Sequence, residues 1–103
     1  MIRKPLIVYE ITAKVREDLI GEFESYMADR HIPDVMATGA FESSIFRRGD
    51  KGWYRISYQT SREALDAYLH DDAPELRAHV AETFPDGVEL SRSEWEIIGE
   101  FQK

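Results

Sequence analysis

The chain has 103 residues, 43% of them hydrophobic and 32% charged, with a net charge of −7 and a pI of about 4.9. That length holds one domain spanning residues 1–103, which buries roughly 60–70% of its unfolded surface. The acidic balance argues against phosphate backbones and anionic membranes as partners, and a chain without cysteine has no disulfide, thiolate nucleophile, zinc–thiolate site or iron–sulfur cluster.

A cysteine-free chain of this kind fits the cytoplasm. Arg3 and Lys4 precede an apolar run, but Glu10 breaks it before it reaches signal-peptide length. No segment approaches the length of a membrane span.

Residues 6–13 alternate as a strand, with Ile7, Tyr9, Ile11 and Ala13 on one face and Leu6, Val8, Glu10 and Thr12 on the other. Both faces start apolar, as in a central strand covered on two sides. Pro5 stands at its entrance, where a missing N–H does least harm. From Arg16 the period changes. Leu19, Ile20, Phe23, Tyr26 and Met27 form one stripe of an amphipathic helix, with Glu17 and Asp18 in its first turn. Pro33 disfavours helical geometry at Ile32, so the helix is expected to fade over 29–31. Residues 34–37 allow one further turn, stopped by Gly39.

A hairpin follows. Residues 40–48 and 53–60 are rich in aromatic, Ile and Ser residues, and Gly49-Asp50-Lys51-Gly52 supplies the turn. Tyr54, Ile56 and Tyr58 share a face opposite Trp53, Arg55, Ser57 and Gln59; Tyr9, Tyr54 and Tyr58 can line a pocket, though aromatic residues at strand spacing are ordinarily core. Thr60-Ser61-Arg62-Glu63 reads as a capping box with Thr60 as the cap. Ala64, Leu65, Tyr68 and Leu69 then make a helical stripe. Asp72, Pro74 and Glu75 form a fresh start signal, which breaks this second helix near Asp72. Residues 88–101 contain the last strand, with Trp95, Ile97, Gly99 and Phe101 on one face and Glu94, Glu96, Ile98 and Glu100 on a wetter one.

The order β-α-β-β-α-β predicts an α+β, ferredoxin-like fold: a four-stranded antiparallel sheet with two helices on one face. The other sheet face then lacks cover, although it carries large apolar residues. Such patches mark interfaces. A homodimer through this open sheet face is expected, with Trp53, Phe41 or Tyr58 touching the partner.

Four segments carry a likeness: Ile7-Val8-Tyr9-Glu10-Ile11, His31-Ile32-Pro33-Asp34-Val35-Met36-Ala37-Thr38-Gly39-Ala40-Phe41, Tyr54-Arg55-Ile56-Ser57-Tyr58 and Ala73-Pro74-Glu75-Leu76-Arg77. Together they resemble a bacterial family described as a domain of unknown function and related in shape to the dimeric α/β barrels. The resemblance implies the ferredoxin-like fold and dimerisation. It implies no reaction, and fold alone does not supply one.

The stretch 31–39 is the first candidate site. His31 suits a general base or a hydrogen-bond partner for an oxygenated ligand; its ordinary structural role is to cap the end of the first helix. Asp34, three residues on, can orient His31 as a catalytic pair or cap the next turn. The segment crosses from helix to strand, so it predicts a small pocket rimmed by His31, Asp34 and Thr38 with Tyr9 and Tyr26 as walls. Arg55, on a strand face between Trp53 and Ser57, is a second ligand-binding candidate for a carboxylate; its ordinary role is an ion pair with Glu42, Glu94 or Glu96.

His70 beside Asp71 and Asp72 lacks metal-site spacing; Asp66 with His70 and Glu75 with His79 read as surface i, i+4 pairs. Gly-rich phosphate loops, dinucleotide fingerprints and Gly-x-Ser-x-Gly are missing from the sequence. Neither metal nor cofactor is expected, and Arg47-Arg48 is too small a patch for nucleic acid. Two functions fit: a homodimeric ligand-binding or non-catalytic module, or a cofactor-free monooxygenase or isomerase with His31 as base. The first is preferred because no pair of titratable groups has opposed environments.

Overall fold

The computed structural model describes residues 6–103, so Pro5 lies outside the described residues. Strand β1 (Ile7–Val15) follows the alternation in its sequence. Its row Ile7, Tyr9, Ile11, Ala13, Val15 is buried, and Val8, Glu10, Thr12 and Lys14 on the other face are half-buried. Strands β2 (Ser43–Arg48), β3 (Trp53–Thr60) and β4 (Val88–Glu96) complete one sheet in the order β2-β3-β1-β4. Every neighbouring pair is antiparallel. β3 lies between β1 and β2, the arrangement of a split βαβ unit, and the fold is ferredoxin-like.

The first helical layer departs from expectation at Pro33. A 3₁₀ turn (Glu17–Leu19), α1 (Ile20–Tyr26), a π turn (Met27–His31) and α2 (Ile32–Ala37) run on without a break. Ile32 keeps helical angles, and its N–H bonds the Met27 carbonyl five residues back. A proline inside an α-helix removes one i→i−4 bond and its ring strikes the carbonyl four residues back. Widening the preceding turn lets the chain pass Pro33 without unwinding.

The π turn also sets a face. Phe23, Met27 and Val35 are buried and His31 half-buried, a spacing of four throughout. In a plain α-helix that spacing overshoots by about 40° per turn. The wider turn offsets the drift and keeps His31 over the sheet. Gly39, at φ +79°, ends the segment as expected.

The second layer is α3 (Arg62–Asp71) and α4 (Ala73–Thr83), broken at Asp72 as the sequence indicates. Its cap is Ser61, whose hydroxyl accepts the Ala64 N–H at 3.2 Å. Thr60, the expected cap, is still in β3 and donates instead to the Ala40 carbonyl at 2.5 Å.

Both layers cover the same sheet face. The core forms between Phe23, Met27, Val35, Leu65, Tyr68, Val80 and Phe84 on the helices and the inward rows of β1 and β3. The opposite face leaves Ile45, Trp53 and Trp95 about half exposed (50, 48 and 59%). Of the three side chains expected to touch a partner, only Trp53 stands there. Phe41 and Tyr58 belong to the buried core on the helix side. Among the described residues, no helix is long and apolar enough to cross a membrane.

Candidate functional site

The inward faces of β1, β3 and β4 and the undersides of the helices enclose a recess of about 30 Å³. That volume suits one or two water molecules. Tyr9, Tyr58 and Tyr68 line it with His31, Arg77 and Arg92, over an apolar floor that includes Met27, Ile56 and Val80. The recess adjoins a wider mouth of about 320 Å³, bounded by Leu69, Ser93 and Glu94; Tyr9, Arg77 and Arg92 line both spaces.

The π turn holds His31 over this recess. Its ring stacks on Tyr26, with centroids 6.1 Å apart and planes 21° apart. Tyr26 stacks in turn on His79 at 5.6 Å, and its hydroxyl hydrogen-bonds His79 Nδ1. Burial lowers the His31 pKa from its ordinary 6.5 to about 4; Asp34 opposes the shift, while His79 and Arg92 add to it. At neutral pH the ring is therefore uncharged, with one donor and one acceptor nitrogen.

Tyr58 is 2% exposed, and its hydroxyl is buried with no hydrogen-bond partner. Ser44, opposite it on β2, also has a buried hydroxyl without a partner. The two hydroxyls are close enough for Ser44 to lower the Tyr58 pKa, although the pair falls outside strict hydrogen-bond geometry. Burial raises the Tyr58 pKa, so the phenol stays protonated and able to donate. Tyr68 is pushed up to about 12, again mainly by burial. An unsatisfied buried hydroxyl costs on the order of 1–3 kcal/mol, which water or a ligand can relieve.

The two arginines add positive charge in an acidic protein. Arg77 donates to the Tyr9 hydroxyl at 2.8 Å. Among the described residues neither Arg77 nor Arg92 is in an ion pair with a carboxylate. Glu94, at the mouth, is paired with Arg62.

The candidates from sequence separate into groups. His31 and Tyr9 line the recess, and Tyr26 backs His31 without reaching it. Asp34 is exposed, 3.8 Å from Arg30, and does not hydrogen-bond the imidazole. Thr38 is a local cap: its hydroxyl donates to the Val35 carbonyl at 2.7 Å and accepts the Ala40 N–H at 3.3 Å. Arg55 lies on the opposite sheet face beside Trp53, in a separate open hollow of about 500 Å³.

The expected helix-surface pairs also rearrange. Asp66 pairs with Arg62, His70 with Asp71, and His79 turns inward to Tyr26. Sequence reasoning missed Arg77 and Arg92. Arg92 alternates with Val88 and Leu90, whose inward parity would have placed it over the recess. Among the described residues, no group of three or more His, Asp or Glu is placed to hold a metal ion.

A family model described as a domain of unknown function (DUF4286) matches residues 6–98. A crystal structure titled as a dimeric ferredoxin-like protein, from an uncultured marine organism, is similar in fold. It has a TM-score of 0.56 and 14% identity, covering 95% of this chain and all of the other. No curated protein matches the chain.

Proposed function

This chain belongs to the DUF4286 family, and from that premise we propose that it is a homodimeric, non-catalytic module that binds a small organic molecule at the mouth of the recess under His31, with a polar atom of the ligand reaching into the recess. The observation that carries the reading is the buried, unpartnered Tyr58 hydroxyl in a recess shared with a neutral imidazole. Polar groups left open inside an apolar wall are what fix a ligand's orientation.

The catalytic alternative, with His31 as general base, has less support. An imidazole that takes its proton only near pH 4 is a weak base at neutral pH. Asp34, which would orient it, sits beside Arg30 instead.

Dimerisation is proposed through the open sheet face. Ile45, Trp53 and Trp95 form its apolar part. Arg47 and Arg55 oppose each other across β2 and β3, an unfavourable like-charge pair. The same face carries Glu10 and Glu89, so two copies can match charge across a twofold interface. The similar solved structure is titled dimeric. The proposal includes a bacterial cytoplasmic setting, which the family resemblance and the cysteine-free composition support.

A thermal-shift screen against organic acids, phenols and quinones tests the binding reading, because a ligand of the folded state raises Tm. The expected result is a hit whose effect shrinks in His31→Gln. Hits that His31→Gln leaves unchanged would place binding elsewhere.

A further inference from the structure

Resting on the recess as the binding site, the geometry points to its ligand class: we infer a small organic carboxylic acid, its carboxylate held between Arg77 and Arg92 where mouth and recess join, one oxygen turned toward Tyr58 and its body lying in the mouth. Arg77 and Arg92 line both the 320 Å³ mouth and the 30 Å³ recess, so the two guanidinium groups stand where the spaces join. Each is without a carboxylate partner among the described residues. Of the acids nearby, Asp72 acts on Tyr68 alongside both arginines and is in an ion pair with neither. Glu94 is paired with Arg62, and Asp34 lies near Arg30. Planar, forked guanidinium donors match a carboxylate better than a point charge does.

The rest of the site selects an organic acid over a bare inorganic anion. Leu69 and Tyr9 form apolar wall at the mouth, and Met27, Ile56 and Val80 line the floor. The mouth has the volume of a small ligand site. The recess is too small for a ring, so it receives at most a polar atom of the ligand. There Tyr58 O–H, buried with only the Ser44 hydroxyl beside it and in no well-formed hydrogen bond, is a donor that an oxygen atom of the ligand can take.

Isothermal titration with benzoate and benzamide tests this, because the pair share a shape and differ in charge. Benzoate is expected to bind at least roughly tenfold more tightly, the scale of one charge-assisted hydrogen bond. Arg92→Gln, at an exposed side chain, should remove most of that preference, weakening benzoate far more than benzamide. Arg77→Lys should weaken benzoate while keeping the charge, because it loses the fork. Circular dichroism melts establish that each variant is folded. Equal binding of the two probes, sensitive to His31→Gln but not to Arg92→Gln, overturns the carboxylate assignment and leaves the recess reading intact. Absence of binding by either probe overturns both.

Discussion

Tyr26 and His31 stack ring against ring across the π turn, with centroids 6.1 Å apart and planes inclined by 21°. In an uninterrupted α-helix, side chains five residues apart point about 140° away from each other. The wider turn closes that angle. The irregularity that admits Pro33 therefore also supports the imidazole against an aromatic wall and holds it over the sheet.

The buried position of His31 predicts a pH dependence of stability. The folded state holds the ring neutral down to about pH 4, while the unfolded chain takes the proton below its ordinary 6.5. The unfolded state thus binds more protons in that window, and stability falls as pH drops from about 6.5 to about 4. Above the window the contribution is constant; below it the loss is complete. The shift corresponds to roughly 3 kcal/mol before allowing for partial exposure of the ring, so a loss on the order of 2 kcal/mol is expected. Urea melts of wild type and His31→Gln at pH 7 and pH 4.5 check it. The wild type should lose more stability than the variant; parallel losses would contradict the account.

Glu24 latches the first helix to the hairpin. Its carboxylate accepts from Arg48 at 2.6 and 2.8 Å and from the Tyr54 hydroxyl at 2.5 Å. The Arg48 guanidinium, and then Tyr54, lower its pKa to about 2. The contribution is present above the ordinary carboxylate range and fades as pH falls toward 2. Glu24→Gln should lower Tm at pH 7 and have a smaller effect at pH 3, measured by circular dichroism.

Much of this fold is legible in the sequence. The alternation Ile7, Tyr9, Ile11, the stripe Phe23, Met27 and the turn Gly49–Gly52 each follow one periodicity or one turn rule, and each holds. The π turn could not be read, because Pro33 signals a stop and nothing local says that a wider turn will absorb it. The cap fell on Ser61 because tertiary contact with the Ala40 carbonyl claimed Thr60. Of the candidate site, His31, Tyr9 and Tyr58 were legible as chemistry, but their companions Arg77 and Arg92 come from two other elements. Only the packing of α4 and β4 over β1 brings them together.

Gly52 stands where no other residue fits well. Its φ is +84°, and a Cβ there would lie 2.4 Å from the Val15 carbonyl oxygen, in backbone that cannot step aside. The same carbonyl region is tied by Val15 N–H to Gly52 O at 2.8 Å. Gly52→Ala should cost at least about 1–3 kcal/mol in a urea melt. Gly21→Ala, in α1 with open space around it, is the control and should be neutral or stabilising.

The open sheet face predicts the assembly. Light scattering at micromolar concentration should give twice the chain mass of 12.0 kDa. Ile45→Glu together with Trp53→Glu, at two half-exposed positions of that face, should give folded monomer. A wild-type monomer mass, or a dimer that survives both substitutions, would contradict the proposed interface.

The recess itself is tested most directly by a nuclear magnetic resonance titration with benzoate, following the His31 ring protons and the backbone amides of Tyr9, Tyr58 and Tyr68. Saturable shifts are expected on these four residues, with those of the Tyr9, Tyr58 and Tyr68 amides lost in His31→Gln, a variant expected to change folding stability by only about 1 kcal/mol at neutral pH. Shifts gathered instead around Trp53 and Arg55 on the opposite face, or the same shifts in the His31→Gln protein, would contradict it.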